Sequence, residues 1–378
     1  MKNFLLKVAG FTLLPLISSL GCTSNGEVLP SANEVLAVMH KVNNHWQDEN
    51  SEHGRAFWDN AAYHTGNMEA YFVTENEDWL NYSIAWSERN HWKGARSDNR
   101  AEWKYSYGES HDYVLFGDWQ ICFQTYIDIY NLKGEEYMIQ RALEVMEYQM
   151  ATDSSDYWWW ADGLYMVMPV MTKLYKLTNK ELYLDKLHEY FTYAKSIMYD
   201  EETGLFFRDG KYIYPKHKSL NGKKDFWARG DGWVFAGLAK VLADLPEDHS
   251  HRTEYLQIYK KMAETLATIQ QEEGYWTRSL LDPEQAPGYE TSGTAFFVYG
   301  YLWGINNGLL DKNAYLPVAV KGWDYLVNVA VQEDGKLGYV QPIGERAIPG
   351  QVVDVNSTSN FGVGAFLLAA SEMYRYVK

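Results

Sequence analysis

Two kinds of helical segment alternate along this chain. One kind is apolar on nearly every side and begins near a glycine: 66–72, 117–126, 162–171, 229–238, 292–301 and 361–370. The other kind is amphipathic, with apolar residues at intervals of three and four, as in 135–152, 180–199, 252–271 and 314–331. A helix that is apolar all round must be buried on every side, and an amphipathic helix is what covers it. The glycines at 66, 117, 163, 232, 293 and 362 recur at roughly 45 to 70 residues, which suits a helical hairpin with its loops. The pattern therefore predicts an all-α fold, an (α/α)6 barrel of six inner and six outer helices. An open solenoid is the alternative, but it would end on a polar capping repeat, and the last segment here is as apolar as the middle ones.

This arrangement also predicts where a site lies. Glycine turns that open the inner helices gather at one end of the barrel. Asp118, Asp162, Asp231 and Ser292 then face a shared cavity, where helix N-termini favour anions.

The start of the chain reads differently. Residues 1–21 form an export signal, with Lys2 and Lys7 ahead of an apolar run at 11–20 that is too short to span a membrane. Ser19-Leu-Gly-Cys22 resembles a lipoprotein cleavage box, so Cys22 is expected to carry lipid and to be the only membrane attachment, with the protein in the periplasm or cell envelope. Residues 22–45 are expected to form a linker and first helix, and 46–378 the catalytic domain. Cys122, the other of two cysteines, reads as a core residue with no disulfide partner.

The net charge of −16 excludes an extended nucleic-acid surface. An anionic ligand is still compatible, provided arginine is placed locally against the overall field. Aromatics make up 16% of the chain, with 15 Trp and 30 Tyr, which suits a large core and also suits stacking on sugar faces.

Asp162 follows Trp158-Trp-Trp160 and opens an inner helix. As a helix cap it would need no further explanation. Among tryptophans, however, a carboxyl is desolvated and its pKa rises, as a general acid requires. Asp118 opens the preceding inner helix and is the candidate partner of a carboxyl pair. Asp231, between two glycines, fits a turn as well as it fits catalysis. In Trp227-Ala-Arg-Gly-Asp-Gly-Trp233, Arg229 is placed to clamp a carboxylate between Trp227 and Trp233. Arg208 is a second cationic candidate, equally compatible with a loop ion pair. Tyr63 and His111 complete the expected substrate contacts, although His64 and His111 read as structural histidines before they read as catalysts. No His-Glu-x-x-His motif, no phosphate loop and no nucleophile elbow at Ser292 is present. Neither a metal nor an organic cofactor is expected.

Four segments resemble glycoside hydrolase family 105, the unsaturated rhamnogalacturonyl hydrolases, which are related to the family 88 unsaturated glucuronyl hydrolases. They are Trp160-Ala-Asp-Gly-Leu-Tyr-Met166, Asn221 to Trp233, Glu290-Thr-Ser-Gly-Thr-Ala and Gly304-Ile-Asn-Asn-Gly. Gly117-Asp-Trp-Gln-Ile-Cys-Phe-Gln-Thr-Tyr is similar to a fifth family stretch, with Trp119 and Phe123 departing from its usual acidic residue and glycine. The resemblance runs from about Trp58 to the C-terminus and implies the same barrel. It implies Asp162 as general acid, Asp118 as its support, and Trp227, Arg229 and Trp233 as substrate contacts. The implied reaction is removal of a terminal 4,5-unsaturated uronic acid from lyase-generated oligosaccharides of rhamnogalacturonan or ulvan type, with rhamnose as leaving sugar. The rivals are an (α/α)6 sugar epimerase, which would need paired histidines, and a non-catalytic sugar-binding lipoprotein, which would not need a desolvated Asp162.

Overall fold

The computed structural model describes residues 29–378, so the export segment and Cys22 lie outside the described residues. The helices follow one another as α1 (Ala32–Glu49), α2 (Trp58–Thr74), α3 (Glu77–Arg89), α4 (Gly117–Gln120), α5 (Cys122–Lys133), α6 (Gln140–Met150) and α7 (Ala161–Thr178). They continue as α8 (Leu182–Met198), α9 (Ala228–Asp244), α10 (Arg252–Thr268), α11 (Thr291–Asn306), α12 (Lys312–Tyr325) and α13 (Asn360–Val377). Among the described residues there is no strand, only isolated bridges between loops.

The apolar segments form the inner wall. In α11 every residue from Thr291 to Ile305 is buried, and in α9 every residue from Ala228 to Leu242. Contacts run from α2 to α5, α7, α9, α11 and α13, and from α13 back to α2, so the ring is closed as the sequence pattern requires. The short α4 is the first turn of the α5 wall position, broken from it at Ile121. The amphipathic helices α1, α3, α6, α8, α10 and α12 form the cover. Helix α1 runs across the expected division after residue 45 and packs on α2 and α13, so it belongs to the barrel.

One glycine differs from expectation. Gly66 does not open a helix; it sits in the middle of α2. A Cβ on Gly66 would lie 2.1 Å from the carbonyl oxygen of Gly364, and one on Gly364 would lie 2.4 Å from that of Ala62. Both residues lack side chains because α2 and α13 touch backbone to backbone where the ring closes.

Candidate active site

The inner helices share a common register at one end of the ring. The second residue of each is Asp59 in α2, Asp118 in α4, Asp162 in α7, Arg229 in α9, Ser292 in α11 and Phe361 in α13. In four of the six the residue before the helix is aromatic and makes no side-chain cap: Phe57, Phe116, Trp160 and Trp227. The capping reading of Asp162 is thereby resolved, because Trp160 holds the cap position and Asp162 lies inside the first turn. The same aromatic-x-acid order at Phe57-Trp-Asp59 was a signal in the sequence that would have found Asp59.

Asp118 and Asp162 open into one cavity of about 230 Å³, with Trp58, Trp160 and Met166 forming apolar walls. Tyr107, Arg208, Ile343 and Glu345 complete it from loops. Asp118 is only 6% exposed and Asp162 only 7%. Oδ1 of Asp118 and Oδ2 of Asp162 have no hydrogen-bond partner. Burial, then the neighbouring Asp162 charge, holds the Asp118 carboxyl well above the usual carboxylate range, against the pull of Arg208. Burial also raises Asp162, but Arg208 and Arg229 oppose the shift. Arg208 thus opposes the upward shift of both carboxyls, and the Asp162 charge adds to the shift of Asp118.

Arg208 reaches this position through the backbone. Trp160 bridges Asp209, and the Ala161 N–H donates to the Arg208 carbonyl at 2.8 Å. Its guanidinium lies 3.4 Å from Asp162, 2.7 Å from Asp209 and 3.5 Å from Glu345. Both readings of Arg208 therefore hold at once: it is ion-paired, and it faces the cavity.

The other expected site residues lie elsewhere. Arg229 donates to the carbonyl oxygens of Gln341 at 2.6 Å and Pro342 at 2.9 Å, sandwiched between the Trp227 and Phe361 rings at 4.6 Å each. Trp227 donates its indole N–H to Gln341 at 2.8 Å. This pair grips the loop segment that leads to Glu345 and does not itself line the cavity. Trp233 is one turn deeper, buried between Tyr165 and Phe296, and only its edge meets Trp58. Tyr63 is buried on the far face of α2, where its hydroxyl donates to Asn43 at 2.6 Å, and it borders a separate cavity with Trp46 and His64. His111 is exposed, with its ring 5.2 Å from Trp119. Asp231 accepts the Phe206 N–H at 2.8 Å and so holds the Arg208 segment, which is neither a turn nor a cavity role. Ser292 donates to Glu290. His64 is stacked on Trp86 and bonded to Ser83, so no histidine pair faces the cavity.

Sequence reasoning missed Trp58, Tyr107, Met166 and Glu345. Met166 was legible, one turn below Asp162 on the same helix. Tyr107 and Glu345 come from irregular loops that no periodicity places.

Residues 31–377 match the Glycosyl Hydrolase Family 88 model. An unsaturated 3S-rhamnoglycuronyl hydrolase of Formosa agariphila is 35% identical over 328 residues, covering 84% of each chain. A solved glycosyl hydrolase family 88 protein from Bacteroides vulgatus is 60% identical with a TM-score of 0.90, covering 92% of this chain and 100% of that one. Another solved protein, named a polysaccharide lyase, is 69% identical with a TM-score of 0.90, covering 92% of this chain and 98% of its own. The barrel, its paired acids and these matches together place the chain in glycosyl hydrolase family 88, and it is a glycosidase.

Proposed function

We infer that the protein removes a terminal 4,5-unsaturated uronic acid from oligosaccharides left by polysaccharide lyases, with Asp162 as proton donor. The observation that carries the reading is the pair of buried, unpartnered carboxyls beside a single cavity-facing arginine. An unsaturated uronate is an enol ether. Protonation at C4 leaves positive character at C5, water adds there, and the resulting hemiketal opens and expels the next sugar. One carboxyl serves as acid and then, ionised, as the base that activates water.

In this reading the substrate itself arms Asp162. Its carboxylate pairs with Arg208 and offsets the positive charge that opposes the upward shift of the Asp162 carboxyl. Asp162 is then the better placed to carry the proton, with the Asp118 carboxyl beside it in the same cavity. The apolar walls of Trp58 and Trp160 exclude bulk water from the pair.

Rhamnose is the proposed leaving sugar, a reading supported by the name of the Formosa relative, an unsaturated 3S-rhamnoglycuronyl hydrolase. Export as a lipoprotein through Cys22 is a separate proposal, supported by the 19–22 box. Cys22→Ser should move the protein from the membrane fraction to the soluble one, and an unchanged distribution would refute the anchor.

The test is ultraviolet absorbance of unsaturated rhamnose-linked disaccharides. The native protein should destroy the C4=C5 chromophore, and folded Asp162→Asn should not. Decay that survives this change would move the acid role to Asp118. The 69% identical protein's name raises a lyase reading. A lyase acting on intact polymer would create the chromophore, so the sign of the change separates the two.

A further inference from the structure

We propose that Glu345 is a specificity determinant that holds the substrate-carboxylate position on Arg208 until a uronate displaces it. The proposal rests on the uronyl-hydrolase reading above and adds to it the residue that the substrate must compete with.

Among the described residues Arg208 is the only cation lining the cavity, because Arg229 donates to backbone carbonyls instead. Its side chain is 13% exposed and lies within 4 Å of three carboxylates: Asp162, Asp209 and Glu345. Two of these are fixed. Asp162 stands in the first turn of α7, and Asp209 is buried and accepts the Lys211 N–H at 2.7 Å. Glu345 is different, since its side chain is 43% exposed and its partners are exchangeable. Lys211 reaches it at 2.9 Å and the Tyr212 hydroxyl at 2.6 Å, both from outside the ring.

The supporting loop is built in the same way. Its base is locked, with Gln341 bonded to Trp227 and Glu290, and the 341 and 342 carbonyls to Arg229. Beyond Pro342 the segment carries Gly344 and an Ile343 that is 65% exposed. The tip is tied back through the Arg346 carbonyl, which accepts from Gln341 at 2.9 Å, and Glu345 is the side chain that reaches from it to Arg208.

Arg208 already has three carboxyl groups within 4 Å, Asp162, Asp209 and Glu345, with Lys211 beside them. A bound uronate would add a fourth in a partly desolvated pocket, and withdrawal of Glu345 restores the original number. A sugar without a carboxylate has nothing to exchange for Glu345 on Arg208, so the loop tip stays across the cavity. Glu345 thus admits an anionic end group in preference to a neutral one.

The experiment is steady-state kinetics of native protein and Glu345→Gln on an unsaturated uronyl disaccharide, with D-glucuronate binding followed by tryptophan fluorescence. Removing the competing charge should lower KM by about two- to five-fold, the range expected for a partly exposed ion pair, and raise kcat/KM accordingly. Glucuronate should bind more tightly by the same factor, and the gain should shrink at high salt. Tyr212→Phe, which frees Glu345 from one anchor, should move KM in the same direction by less, and it serves if Glu345→Gln folds poorly. A KM that rises or stays fixed in both variants overturns the proposal, as does a fall in kcat at constant KM. If the native protein hydrolyses no unsaturated uronide, the functional reading fails, while the glucuronate comparison still decides the competition at Arg208.

Discussion

The two ends of the ring treat buried charge in opposite ways. At the end where the inner helices start, Asp118 and Asp162 open into one tryptophan-walled cavity, each with an oxygen that accepts no hydrogen bond, and share it with Arg208. At the end where the helices finish, a cavity of about 500 Å³ is lined by Glu69, Lys173, Lys240, Asp244, Glu372 and Arg375. There the carboxylates are matched: Asp128 with Lys173, Asp244 with Lys176, and Glu69 and Glu372 with Arg375. The same barrel therefore holds a reactive end and a stabilising end. The difference lies in how many cations each acid has within reach, since both ends bury their acids.

The largest effect should come from breaking the reactive end. Asp162→Asn is expected to lower kcat/KM by at least ~10²-fold, the lower limit for a positioned general acid. Its melting temperature should change little, because Asn keeps the side chain's shape and the contact weakened is a single long one to Arg208 at 3.4 Å. Chromophore loss and a thermal scan on the same preparation check both halves of this expectation.

The opposite end should respond in the opposite sense. Lys173→Met leaves Asp128 without its partner in a largely buried site, and should reduce stability by about 3 kcal/mol in denaturant titration. Its KM should stay close to native, since the change lies at the far end of the barrel from the catalytic acids.

A pH series sharpens the contrast further. The Asp118 carboxyl is held well above its usual range by burial and by Asp162. The folded state therefore holds the proton more tightly than the unfolded chain. Asp118 costs stability as pH rises above the ordinary aspartate range, and the cost is full once pH passes the raised value. Asp118→Asn should thus melt higher than native at neutral pH, and the gain should vanish as pH falls below about 4. Glu69 has the reverse sign. Burial alone would raise it, but Arg375, Lys240 and Lys173 together outweigh burial and lower it. Its stabilisation is present above the ordinary glutamate range and is lost as pH falls through the lowered value. Glu69→Gln should cost about 1 kcal/mol or less at neutral pH, since Arg375 is a third exposed and solvent screens the pair. A loss that persists at low pH would mean that packing, not charge, sets the Glu69 contribution.

How much of this was legible depends on the range of the interaction involved. The inner wall was visible because an all-apolar helix has one physical explanation, and Thr291 to Ile305 shows it in full. Asp162 was visible because it follows a tryptophan cluster at a helix start, and Asp118 because it opens the preceding inner helix. Gly66 was misread because a glycine kept for close helix contact looks in sequence like one kept for a turn. Arg229 was placed in the cavity because its motif shows an arginine between tryptophans. What the motif cannot show is that Gln341 and Pro342, more than 100 residues away, supply its acceptors. Glu345 was invisible for the same reason, because its partners Arg208, Lys211 and Tyr212 come from a distant loop.

The backbone contact between Gly66 and Gly364 also fixes the order of events during synthesis. The ring closes between its first and last inner helices, and Asn360 bonds Asp59 across 301 residues of chain. A nascent chain that stops short of α13 leaves the apolar flanks of α2 and α11 uncovered. Such long-range closure is slow to form and prone to aggregation while it is incomplete. The wall that carries the reactive end is thus completed only when α13 packs between α11 and α2, so that activity should appear together with closure of the whole ring when the chain is refolded.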